Sequence, residues 1–185
     1  MDELKELGEV LTAFESEVGK VHAAGDAILQ ALRDGHKIMA CGNGGSAADA
    51  FHLAQELSGR YRSNRRPLAG LCLSADPTAI TCIGNDFGFE YIFSRQVEAL
   101  GKTGDILVAF STSGNSPNVL EALKCAKPLG VTRVLVSGKD GGICKNEADH
   151  VIIVPSQSTA RIQEIHTVVL HHWLERVEAE TGVAL

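Results

Sequence analysis

The 185-residue chain predicts a three-layer, doubly wound α/β sandwich around a five-stranded parallel sheet, preceded by N-terminal helices. Three observations lead there. Five short apolar runs alternate with helical patterns, and strands separated by helices pair in parallel through right-handed crossovers. Hydrophobic residues make up 44% of the chain, enough to fill a core of single-domain size. Aromatics make up only 5% while glycines number 19, a balance that suits close helix-to-sheet packing and glycine-rich loops better than an all-β sandwich.

The elements follow in order. Leu4, Leu7, Leu11, Phe14, Val18 and Val21 recur in steps of three and four, the seam of an amphipathic helix. One such seam cannot bury itself, so residues 1–34 are expected to fold back on the domain or to join copies of the chain in a homo-oligomer. The runs Lys37 to Cys41, Ala69 to Leu73, Ile106 to Phe110, Arg133 to Val136 and Val151 to Val154 read as buried strands. Between them, Ser46 to Leu57 reads as one helix, Pro77 to Leu100 as a pair, Ser116 to Leu129 as one, and Cys144 marks a brief turn. A final helix runs from about Ser158, a candidate cap with Thr159, to Glu180. No linker or repeat divides the sequence, so residues 1–185 are expected to form a single domain.

Charge and cysteine usage narrow the function classes. A net charge of −6 has the wrong sign for neutralising a nucleic-acid backbone. The cluster Arg60, Arg62, Arg65 and Arg66 reads as a solvated loop. Five cysteines without a CxxC pair suggest neither a disulfide framework nor a cysteine zinc site, and fit a reducing compartment. The acidic start, MDELKELGEV, lacks the regions of a signal peptide, and no stretch approaches about 18 uninterrupted apolar residues. A cytoplasmic protein without nucleic-acid or membrane partners is expected.

In parallel α/β sheets ligands bind beyond the carboxyl ends of strands, and two loops there are chemically unusual. Gly42-Asn43-Gly44-Gly45-Ser46 permits tight turns and close backbone approach to an anion. Ser111-Thr112-Ser113-Gly114-Asn115-Ser116-Pro117 offers hydroxyls and backbone N–H groups, with Pro117 suited to a first helical position. Either loop alone could be a plain strand-to-helix turn with Ser116 as an ordinary N-cap. Neither matches GxxxxGK[ST] or GxGxxG, so the pair points to a phosphate monoester rather than a nucleotide. After the first loop, His52 and Glu56 are spaced i, i+4, on one helix face and within reach of one ion or substrate. On the last helix Gln163 and His171 lie about 12 Å apart along the axis at ~1.5 Å per residue, so two protomers are expected to share the site if both act. His166 and His172 read as packed structural residues. Asn85-Asp86-Phe87-Gly88 is either a further polar cluster or a plain Asx-turn.

Together GNGGSAADAFHLAQELSGRY, GNDFGFEYIFSRQ, STSGNSPNV, SGKDGG and ARIQEIH resemble the phosphoheptose isomerases of the SIS-domain family, over nearly the whole chain. The resemblance implies a flavodoxin-like topology and an aldose-ketose isomerase that converts D-sedoheptulose 7-phosphate to D-glycero-D-manno-heptose 7-phosphate. It implies that Asn43, Gly44 and Gly45, with Ser46, contact substrate, that Asn85 and Asp86 bind sugar hydroxyls, and that Ser111, Thr112, Ser113 and Ser116 hold the phosphate. Glu56 and His171 become the acid-base pair, with Glu56 and Gln163 also touching substrate. His52, Glu56, Gln163 and His171 become the ligands of one zinc ion per subunit, in a homotetramer with sites at subunit interfaces. Ala160 departs from relatives that place an acidic residue there. Two other readings stay open: a non-catalytic adaptor of this fold that binds the replication initiator, whose match to HxxxE lacks the acidic residue, and an isomerase for another sugar phosphate.

Overall fold

The structure, a computed structural model, describes residues 1–181. Its elements are α1 (Asp2–Phe14), α2 (Val18–Arg33), β1 (Ile38–Cys41), α3 (Gly45–Ser58), β2 (Gly70–Cys72), α4 (Pro77–Asp86), α5 (Ser94–Leu100), β3 (Ile106–Ser111), α6 (Pro117–Ala126), β4 (Thr132–Gly138), β5 (His150–Val154) and α7 (Thr159–Thr181). The strands form one parallel sheet in the order β2-β1-β3-β4-β5. This is the predicted doubly wound sheet.

Both faces of the sheet are buried, which is why its strands read as continuous apolar runs. Along β1, β3 and β4, successive side chains enter opposite layers. Ile38, Ala40, Ile106, Val108, Phe110, Val134 and Val136 pack with α1, α2, α3 and α7. Met39, Cys41, Leu107, Ala109 and Leu135 pack with Ile92, Phe93 and Val97 around α5 and with Val119, Ala122, Leu123 and Ala126 of α6. Trp173 of α7 is 1% exposed, and its indole N–H donates to the Val21 carbonyl, pinning α7 to α2.

Local chemistry sets several boundaries. Asp76 caps α4 by accepting from the N–H groups of Thr78 and Ala79, with Pro77 at the first helical position. The N-terminal seam is interrupted by a short 3-10 turn, Glu15–Glu17, and its residues divide. Phe14 and Val21 enter the core, whereas Leu4, Leu11 and Val18 stay exposed. The arginine cluster also divides. Arg65 is buried rather than solvated, because its guanidinium donates to the carbonyls of Glu56 and Leu57 near the carboxyl end of α3 and to that of Arg66 in the following loop.

Candidate active site

The strand order reverses direction at β1, whose neighbours are β2 and β3, so the loops leaving β1 and β3 flank the place where sheets of this kind take their ligands. Those are the glycine loop and the serine loop. Each feeds a helix, α3 and α6 respectively, so the positive ends of two helix dipoles converge where an anion would lie.

The serine loop is a cradle of its own making. Ser111 Oγ lies 3.4 Å from Ser116 Oγ and accepts from the Gly114 N–H, while Asn115 N–H donates to Ser113 Oγ. Ser116 starts α6 without a side-chain capping bond, so it is not the ordinary N-cap that a plain turn would need. Gly114 takes φ +64°, and a Cβ there would overlap the backbone of Gly141 from the loop after β4. That loop is bonded on from both sides: Cys144 N–H donates to the Gly114 carbonyl and Ile143 N–H to Asn115 Oδ1. Thr112 and Ser113 remain part-exposed on the rim.

The glycine loop is tied to the cradle by side chains. Asn43 and Asn118 exchange two hydrogen bonds of 2.9 Å, amide to amide. Asn118, on the first turn of α6, is 1% exposed. Gly44 and Gly45 are exposed, whereas Ser46 is buried as α3 begins.

Below the loops, α3 and α7 lie side by side and run in the same direction. Gly45 meets Gln163, Asp49 accepts from Thr167 at 3.1 Å, and the rings of His52 and His171 stand edge to face at 5.0 Å. A Cβ at residue 45 would overlap the Gln163 amide, so glycine is what allows that contact. His52 Nε2 is 3.4 Å from Glu56 Oε1, the i, i+4 contact expected from sequence. Tyr61 closes the far side of the His171 ring at 5.8 Å. A single chain therefore brings His52, Glu56 and His171 together. Along α7, Gln163 lies against Gly45 and His171 against His52, so within one chain the two stay at opposite ends of the contact with α3.

Beneath this interface is a buried polar pair. Asp49 Oδ2 and His166 Nδ1 are 3.9 Å apart, and neither atom has a hydrogen-bond partner. Burial pushes the Asp49 carboxyl up to about 6, against the hydrogen bond from Thr167, and pushes the His166 imidazole down to about 4. His166 is fully buried against Phe110, as its packed reading requires.

Asn85 and Asp86 stand apart. They end α4 exposed, with Asn85 donating to Asp86 at 2.7 Å and Cys82 lying 3.7 Å from Asp86, and among the described residues neither is hydrogen-bonded to the loops. The side chains that sequence reasoning left out of the site are Asn118, Asp49, Thr167 and Tyr61. Asn118, Asp49 and Tyr61 sit inside the quoted motifs, but their partners are distant in sequence. As to a metal, two imidazoles, a carboxylate and an amide are the nitrogen and oxygen donors zinc takes, so the donor chemistry fits. Among the described residues no three His, Cys, Asp or Glu side chains are drawn around a common point, and the Gln163 amide lies toward the glycine loop.

A hydroxyl-lined loop at the switch point of the sheet, with an imidazole-carboxylate cluster along the helix that starts beside it, is the arrangement of a sugar-phosphate class of α/β domain, and the SIS-domain family model matches residues 4–138. The chain is 54% identical over 161 residues to the phosphoheptose isomerase of Campylobacter jejuni serotype O:6, covering 86% of this chain and 87% of that one. It is 44% identical to the phosphoheptose isomerase of Vibrio vulnificus, covering 97% and 95%. The solved phosphoheptose isomerase of Neisseria gonorrhoeae superposes with a TM-score of 0.91 at 41% identity, over 96% of each chain. The chain belongs to the phosphoheptose isomerase branch of the SIS-domain family.

Proposed function

We propose that this isomerase interconverts D-sedoheptulose 7-phosphate and D-glycero-D-manno-heptose 7-phosphate, the entry to ADP- or GDP-heptose synthesis for lipopolysaccharide core or other surface glycans. One observation supports it above the rest. His52, Glu56 and His171 meet on α3 and α7, the first of which starts from the glycine loop beside the serine cradle.

Aldose-ketose interconversion moves one proton between C1 and C2 and another between the two oxygens, through a cis-enediol. The cradle of Ser111, Thr112, Ser113 and Ser116 grips the phosphate, while the backbone of Asn43, Gly44 and Gly45 lies along the sugar. Glu56 carries the carbon-bound proton, and His171 donates to and accepts from oxygen, since an imidazole offers one nitrogen as donor and the other as acceptor. His52, Glu56, His171 and Gln163 would hold zinc, which when bound supplies Lewis-acid polarisation of the carbonyl, with Glu56 acting either as ligand or as base in a given step and not as both. Metal binding is measured directly by calorimetry with zinc on chelator-stripped protein.

Assembly as a homotetramer with sites at subunit interfaces belongs to the same reading, since Asn85 and Asp86 lie away from the loops of their own chain and would reach sugar hydroxyls across an interface. Five free cysteines suit a cytoplasmic location. No helix among the described residues is long and apolar enough to cross a membrane.

The test is to incubate the pure protein with sedoheptulose 7-phosphate in deuterated water and follow the aldose. Conversion with deuterium at C2 is expected, and Glu56→Gln should cut turnover by about 10²- to 10⁴-fold while substrate still binds. Conversion without label under single-turnover conditions would replace the enediol with a hydride shift. No conversion, together with tight binding to a protein partner, would favour the adaptor.

A further inference from the structure

We infer that Asn118 is a positioning residue for the isomerisation, setting the glycine loop against the phosphate cradle; the inference rests on the function proposed above. Its side chain is 1% exposed and spends its donor and acceptor on Asn43 alone. Among the described residues these two bonds are the only hydrogen bonds that join residues 42–46 to residues 111–118. The two segments grip different ends of one substrate. Phosphate is held at the amino end of α6, and the reacting carbons lie beside α3, whose amino end the glycine loop sets.

The physical consequence concerns alignment. A reciprocal amide pair has a narrow optimum in distance and plane, and once buried it cannot exchange its partner for water without loss. Asn118 therefore holds the gap between anchor and reacting centre, and a misplacement of about 1 Å can cost on the order of 100-fold in rate. It also restricts Asn43. With one N–H and one lone pair of its side chain committed, Asn43 meets substrate through its backbone and the unused half of its amide.

The experiment compares Asn118→Ala, Asn118→Ser, Asn43→Ala and the Asn43→Ala/Asn118→Ala double variant with wild type. The serine variant keeps a residue compatible with a helix start but cannot reach Asn43. A positioning role predicts that kcat falls about 10- to 100-fold in Asn118→Ala and Asn118→Ser, while KM and inhibition by inorganic phosphate change less than about threefold. The double variant should be no slower than the slower single variant, because each single change already breaks the pair. A folded Asn118→Ala or Asn118→Ser enzyme with wild-type kcat would overturn the inference, as would full additivity in the double variant. Absence of isomerisation by the wild-type protein would instead strike the proposed function.

Discussion

His166 and Asp49 share a dry interface, and burial moves each away from its ordinary proton affinity in the direction that favours its neutral form. For His166 the folded chain binds a proton less readily than the unfolded one. Its contribution to stability is therefore complete above the ordinary imidazole value of about 6.5 and is lost as pH falls toward about 4. Asp49 acts in the opposite sense, since its raised value favours the folded chain at low pH and weakens it as pH climbs from about 4 to about 6. A variant comparison separates the two. Relative to His166→Gln, the wild-type protein should lose about 2 kcal/mol between pH 7 and pH 5, read from urea unfolding at each pH. A constant difference between the two proteins across that range would show that His166 does not titrate as its burial requires. The packed reading of His166 needed only its place beside the apolar stripe of Ile162, Ile165 and Val169. Its carboxylate neighbour 117 residues earlier left no local sign.

At the scale of elements, the decisive feature is the parallel pairing of α3 with α7. The strands were legible because both faces of the sheet are covered, which leaves uninterrupted apolar runs such as Ile106 to Phe110. The i, i+4 relation of His52 and Glu56 was equally legible, being a property of one helix. What no single segment could reveal was that His171 would lie against His52, because that depends on which helices become neighbours. Arg65 illustrates the same limit from the other side. Within a run of arginines it looks like surface charge, yet the carbonyls of Glu56 and Leu57 near the end of α3 draw it inward, where Nε lies 3.4 Å from Glu178. Replacing it, Arg65→Met, leaves Glu178 without its cation and removes the guanidinium donors from the Glu56 and Leu57 carbonyls. The expected loss is about 3 kcal/mol, or a fall in Tm of roughly 6 to 12 °C. A thermal melt checks this, and a shift under about 2 °C would mean that water satisfies those carbonyls equally well.

Across the whole molecule, the divided N-terminal seam leaves an apolar groove of about 240 Å³ lined by Leu11, Phe14, Val18, Val21, Val168 and Val169. Leu11, Val18 and Val168 are each 40% exposed or more, an arrangement that suits the face through which copies of the chain would associate in the proposed tetramer. Carboxylates at two of these positions, Leu11→Glu with Val18→Glu, should lower the assembly's mass in light scattering while leaving the fold intact by circular dichroism. An unchanged mass would remove this face from the assembly. The contact of the serine loop with Gly141 and Gly142 has a different outcome. Because backbone rests on backbone there, the proposed phosphate cradle is set before any ligand arrives, and little ordering entropy would be lost on docking. Such a receptor would greet any phosphate ester alike, so discrimination among sugars has to arise from the chain length and hydroxyl pattern that the remainder of the site accepts.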